Sequence, residues 1–200
     1  MADARSPVRL LLVLAIAGCS AENAPTVPQD VGNMRPVLNA GQGVFAHASG
    51  GGIVDFSAVA GAGNGHFSFT ATVHRDGSVV GRFRQRRERN GLLIDFSGVV
   101  TCLTVNAALH RARIGGVITE NNSTDPAFQT DNHQVGDDVW FRVEDGGEGT
   151  GAVDASTSYG FKPTLVNTSA EYCALPFTGL PAWNPATTFP LLSGNIQVRP

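Results

Sequence analysis

From Val44 to the C-terminus, apolar residues recur at every second position in short segments separated by Gly, Asn and Asp. That is the period of β-strands with one buried face. The clearest segment is His66 to His74: Phe67, Phe69, Ala71 and Val73 fall on one side, and His66, Ser68, Thr70, Thr72 and His74 on the other. Arg75-Asp76-Gly77-Ser78 then supplies an Asp-Gly turn into a second strand through Val79, Gly81 and Phe83. Further strands are expected at about 53–60, 92–106, 111–119, 138–144, 151–159 and 191–198. No stretch of this region has convincing helical periodicity. The 24 glycines, concentrated at strand ends and within GRF, SGV and IGGV, suit bulges and sharp bends of a closed or nearly closed sheet. The expected fold is all-β, a single antiparallel barrel or sandwich over residues 44–200.

The N-terminal part reads differently. The apolar run from Leu10 to Ala17 would make a helix of about 12 Å, against a bilayer core of about 30 Å, so it does not span a membrane. Arg5 and Arg9 precede it and the small residues Ala15, Ala17 and Gly18 end it, the layout of an export signal over residues 1–18. Ile16-Ala17-Gly18-Cys19 also resembles the lipobox of bacterial lipoproteins. That resemblance implies a diacylglycerol on the Cys19 sulfur, cleavage before it, and, with Ser20 following, the outer membrane if the cell is diderm. The alternative is an ordinary signal peptide that happens to contain a cysteine. Residues 19–43 hold several prolines and small polar residues without apolar period and read as a flexible tether.

A wider resemblance covers about Gly41 to Val198. The order GHFSFTATVHRDGSVVGRF, IDFSGVVTCLTV, ARIGGVIT, DDVWFRVEDGGEG, AEYC and GNIQV resembles small secreted or lipid-anchored bacterial β proteins related to the post-COAP domain. It implies a fold and a location and carries over no catalytic residue. The chain departs from the usual form in its arginine-dense 82–89 segment and its longer 120–135 loop.

Three cysteines are an odd number for an exported protein, since oxidising compartments favour pairs. With lipid on Cys19, Cys102 and Cys173 remain, both among apolar neighbours, and a disulfide between them is expected; the alternative is two buried thiols. The net charge of −3 argues against nucleic acid as the main partner. The strongest cationic feature is the run Arg82, Arg84, Arg86, Arg87 and Arg89, of which the first three share a face by period two. It reads either as a solvated or edge-protecting face or as a patch for anionic lipid headgroups or a polyanionic envelope polymer.

Candidate chemistry is sparse. His47, His66, His74, His110 and His133 lack zinc-site spacing; His66 and His74 share a face but sit about 26 Å apart along a strand. There is no Gly-x-Ser-x-Gly elbow, and the glycine clusters lack the lysine of a phosphate loop. Asp145 and Glu148 flank a glycine turn that offers oxygen ligands to calcium without the order of a dedicated calcium loop. Asp131 beside His133 offers an imidazole–carboxylate pair without a nucleophile. Trp183 and Phe189 either pin the return to the last strand or contact a ligand. No cofactor and no catalytic residue is assigned. The leading expectation is a non-enzymatic envelope lipoprotein that binds or scaffolds an envelope polymer or surface protein; the alternatives are a small-ligand carrier with a barrel cavity and, third, a hydrolase.

Overall fold

The computed structural model describes residues 44–56, 62–149, 151–179 and 183–200, so the expected signal segment 1–18 and the expected tether 19–43 with Cys19 lie outside the described residues. Eight strands follow one another: β1 (Val44–Asp55), β2 (Ala62–His74), β3 (Val79–Arg89), β4 (Leu92–Asn106), β5 (Arg111–Asn121), β6 (Asp138–Glu144), β7 (Ala155–Thr157) and β8 (Thr188–Arg199). Each pairs antiparallel with the next, and β8 returns to β1, which closes the sheet into a barrel. Turn chemistry sets the registers. In the β2–β3 hairpin, Gly77 takes φ 83° while the Asp76 carboxylate accepts the Ser78 amide at 2.9 Å. In the two-residue β3–β4 hairpin, Asn90 and Gly91 both have positive φ, the primed turn that matches strand twist.

The alternation of β2 is as expected: Phe67, Phe69 and Ala71 are buried, while His66, Ser68 and Thr70 are exposed. Three boundaries differ from expectation. β1 begins at Val44 rather than near residue 53, because its inward positions Ala46, Ala48, Gly50 and Gly52 are too small to mark a core face. β7 has only three residues instead of the nine expected over 151–159. One short helix, α1 (Ser169–Ala174), forms where no helix was expected, capped by the Thr168 hydroxyl on the Glu171 amide.

The interior is filled with aromatic rings. Phe83, Phe96, Phe141 and Tyr159 meet at centroid distances between 4.4 and 6.5 Å, largely edge-to-face or tilted. The Phe83 ring lies across Gly98 and Gly116, where an added Cβ would overlap it. One end of the barrel is stoppered by the segment after β5. Its Phe128 stacks on Phe96 at 6.2 Å and meets Phe161 at 5.9 Å, and Asn121 Nδ2 holds the segment by donating to the carbonyls of Phe128 and His133 at 2.8 and 2.7 Å. The cavity left there, beside Arg87 and Tyr159, measures about 10 Å3, room for about one water.

Closure is weakest at β7, which shares two residue pairs with β6 and three with β8. Beyond those pairs, two carboxylates do what a strand would do. Asp154 accepts the amides of Gly146 and Ile196, and Asp145 accepts those of Gly147 and Val198 at 2.8 and 3.0 Å. A second anchor lies outside the barrel, where α1 packs on β4, β5 and β6 and the Cys102–Cys173 disulfide fixes it, with an S–S distance of 2.04 Å. In the chain-entropy account, closing a loop of 71 residues stabilises a fold by about 4 kcal/mol.

Two outcomes follow. Asp154→Ala leaves two backbone amides without acceptors and is expected to destabilise by about 2–4 kcal/mol in denaturant unfolding, whereas Asp154→Asn, which keeps one carbonyl oxygen, costs about half as much. Thiol titration of denatured, unreduced protein is expected to find no free thiol at Cys102 or Cys173, and both after reduction.

Candidate functional site: the outer wall of β1–β4

The alternation that points Phe67, Phe69 and Phe83 inward points Ser, Thr, His and Arg outward on the same strands. The registers align these into rows. Ser49, Thr70, Arg82 and Val99 stand side by side across β1–β4; the next row is Gly51, Ser68, Arg84 and Ser97, and the third is Ile53, His66, Arg86 and Asp95. Over the first two rows the wall is hollowed into a depression of about 780 Å3 with Thr119 of β5 at its far side. Hydroxyls from four strands and the guanidinium groups of Arg82 and Arg84 line it.

The five arginines of the 82–89 run divide into two groups with different roles. Arg82, Arg84 and Arg86 are exposed on the outer wall, whereas Arg87 and Arg89 share the inward parity of Phe83 and Gln85 and turn into the stoppered end. The Arg87 guanidinium lies 5.0 Å from the Phe56 ring centre and 5.8 Å from that of Phe128. Arg89 forks onto Asp125, with Nε and Nη2 each at 2.7 Å from a carboxylate oxygen. Only part of the outer group is free to meet a ligand. Arg84 holds Asp95 through Nε at 3.1 Å and Nη2 at 2.9 Å, and this bidentate bond raises its pKa above the ordinary arginine value. Arg82 and Arg86 make no ion pair and no side-chain hydrogen bond among the described residues.

The other candidates fall elsewhere. The Asp145 carboxylate is occupied by the Gly147 and Val198 amides, and Glu148 is exposed on the turn beyond it; no three His, Cys, Asp or Glu side chains converge among the described residues. His133 Nδ1 meets the Thr130 hydroxyl at 2.9 Å rather than Asp131, and its ring lies 4.1 Å from Phe161 and 4.8 Å from Phe128. Burial there lowers its pKa below the ordinary histidine value. Trp183 is buried against the guanidinium groups of Arg111 and Arg142, at 4.3 and 4.9 Å, and Phe189 packs edge-on against Phe56 at 5.3 Å. Both aromatics pin the return to β8.

One feature had no clear signal in the sequence. Arg113 and Arg142, both almost fully buried, lie under the segment carrying α1. Arg113 reaches the Pro176 carbonyl and faces the rings of Tyr172 and Phe177; Arg142 donates to the Asn184 carbonyl at 2.7 Å and to the Thr187 and Thr188 hydroxyls. Aromatic faces and oxygen dipoles help to accommodate these charges.

The Arg89–Asp125 pair has a pH consequence. The Arg89 hydrogen bonds hold the Asp125 carboxyl below its ordinary value, so near pH 4 the unfolded chain binds more protons than the folded one. The stability this contributes is present above about pH 4 and is lost as pH falls through the folded value. Asp125→Asn is therefore expected to lower stability at pH 7 by about 2 kcal/mol and to flatten the fall between about pH 5 and 3, read from melting temperatures across that range. No protein-family model matches the chain, nor does any curated protein or solved structure.

Proposed function

We propose that the protein is an exported, lipid-anchored protein of the cell envelope whose β domain is non-enzymatic and binds or scaffolds envelope material through the outer wall of β1–β4. The observation that supports this reading is the contrast between the two sides of that wall. Inside, aromatic rings leave about 10 Å3 at the stoppered end, and an open apolar hollow of about 240 Å3 lies beside Ala46, Val73 and Leu103 at the other, both below the several hundred Å3 of a small-ligand pocket. Outside lies a depression of about 780 Å3 lined by hydroxyls and arginine. The pattern of apolar-in and polar-out is also the reverse of a lipid-embedded barrel, whose outer band is apolar. The anchor rests on the lipobox resemblance at Cys19, which implies a thioether-linked diacylglycerol as the attachment to the membrane.

Two measurements test the reading. Cys19→Ala is expected to leave an unprocessed or unanchored protein without acyl chains, the unanchored fraction passing to the aqueous phase with the β domain still folded; a cleaved and acylated Cys19→Ala species in the membrane fraction would end the anchor proposal. That soluble variant, added to washed envelope fragments at low salt, is expected to bind, and Arg82→Glu with Arg86→Glu to weaken binding at least tenfold without lowering the melting temperature by more than a degree or two. Undiminished binding by the double variant would remove the outer wall from the function. Arg84 is unsuitable for such a test, because its reversal leaves the nearly buried Asp95 carboxylate unpaired.

A further inference from the structure

The chemical class of the envelope ligand follows from how charge is distributed on the wall; this inference rests on the binding role just proposed. Arg82, Arg84 and Arg86 stand in file along β3 at two-residue steps, so the outer two are about 13 Å apart at about 3.3 Å per residue. The middle one is neutralised by Asp95. What remains is one uncompensated guanidinium at each end and a stretch between them flanked by hydroxyls: Ser68 and Thr70 on β2, Ser49 on β1 and Ser97 on β4. Ser97 itself donates to Glu120 at 3.2 Å, which keeps that side mildly acidic.

This spacing discriminates among polyanions. A nucleic acid strand carries a phosphate about every 3.4 Å, so a wall with two free cations separated by about 13 Å and a neutralised arginine between them would leave several phosphates unmatched. Recruitment to an anionic membrane uses clusters of about four to eight Lys or Arg, twice what is free here or more. A chain of uronic acid sugars, whose twist turns only some of its carboxylates to any one side, fits better. Its acid groups match the planar, two-pronged guanidinium, and its hydroxyls both donate to and accept from Ser and Thr. We infer that the outer wall of β1–β4 binds a linear acidic polysaccharide of the uronic acid type, with Arg82 and Arg86 each holding a carboxylate and the hydroxyls of Ser49, Ser68 and Thr70 facing the sugars between.

Calorimetric titration of the soluble full-length Cys19→Ala protein with four probes tests this: polygalacturonate, its methyl ester, inorganic polyphosphate, and vesicles containing an anionic phospholipid. The acid polymer is expected to bind, the neutral ester to bind at least tenfold more weakly, and polyphosphate and vesicles more weakly than polygalacturonate. Arg82→Ala and Arg86→Ala each are expected to cost about tenfold, and Thr70→Val about threefold, with melting temperatures unchanged. With only two charges engaged, the slope of log affinity against log salt is expected to be no steeper than about −2. Tighter binding to polyphosphate or vesicles, or equal binding to the ester, overturns the uronic acid assignment. If polygalacturonate fails to bind while envelope fragments still bind through Arg82 and Arg86, this inference falls and the binding role stands; if neither binds, both fall.

Discussion

An antiparallel sheet that closes on itself has to satisfy every backbone amide on its last seam, and here the strand available for that seam is too short. β8 runs for 12 residues while β7 offers three. An unbonded, buried amide costs about 1–3 kcal/mol, so the open part of β8 would undo a sizeable share of a stability typically about 5–15 kcal/mol. Asp145 and Asp154 meet that demand from a glycine-rich turn, reaching Val198 and Ile196. The backbone of the same turn contributes as well, since the Asp154 carbonyl accepts the Leu191 amide at 2.8 Å. The aromatic interior, the rigid registers of β1–β5 and the ordered outer wall all depend on the ring staying shut at this point.

Among the described residues, the chain between β7 and β8 is largely irregular. The segment leaves the seam, crosses β6 through the Trp140–Gly160 bridge, covers Arg113 and Arg142, and returns through the Trp183 region. The Cys102–Cys173 bond and the Thr104 hydroxyl, which donates to the Cys173 carbonyl at 2.9 Å, tie its middle to β4. Two buried cations beneath it carry a desolvation cost, and burial lowers the Arg113 pKa. Flat aromatic rings and convergent carbonyls offset that cost.

What could be read in advance depended on how local the cause was. β2 was legible because each inward position is large and apolar and each outward one polar. β1 was not, because inward Ala46, Ala48, Gly50 and Gly52 give a pattern of size rather than of hydropathy, and size matters only once Ile196 and Phe69 are known to face them. The arginine run held more information than its density conveyed: the parity that set Arg82, Arg84 and Arg86 together also assigns Arg87 and Arg89 to the opposite face with Phe83. The partners that decide which of these cations stay free, Asp95 and Asp125, arrive from β4 and from beyond β5 and have no local signature. The same holds for Asp145, whose place in a glycine turn mimics an ion-binding loop while its real partner, Val198, lies 53 residues away.

The order of strands around the ring is the order along the chain, with a single exception at the β1–β8 seam, where His47 lies opposite Arg199. The β2–β3, β3–β4 and β4–β5 hairpins, joined by short turns, assemble from contacts close in sequence and are entropically cheap to begin, whereas the β1–β8 seam joins positions most of the domain apart. Folding is therefore expected to proceed as a growing meander whose nucleus lies in β2–β4 and whose slow event is the meeting of its two ends. Those ends of the meander, at the start of β1 and the end of β8, finish side by side. Moving the break to the exposed Asn90-Gly91 turn while linking the start of β1 to the end of β8 would convert the most distant pairing into a local one and leave every wall residue in place.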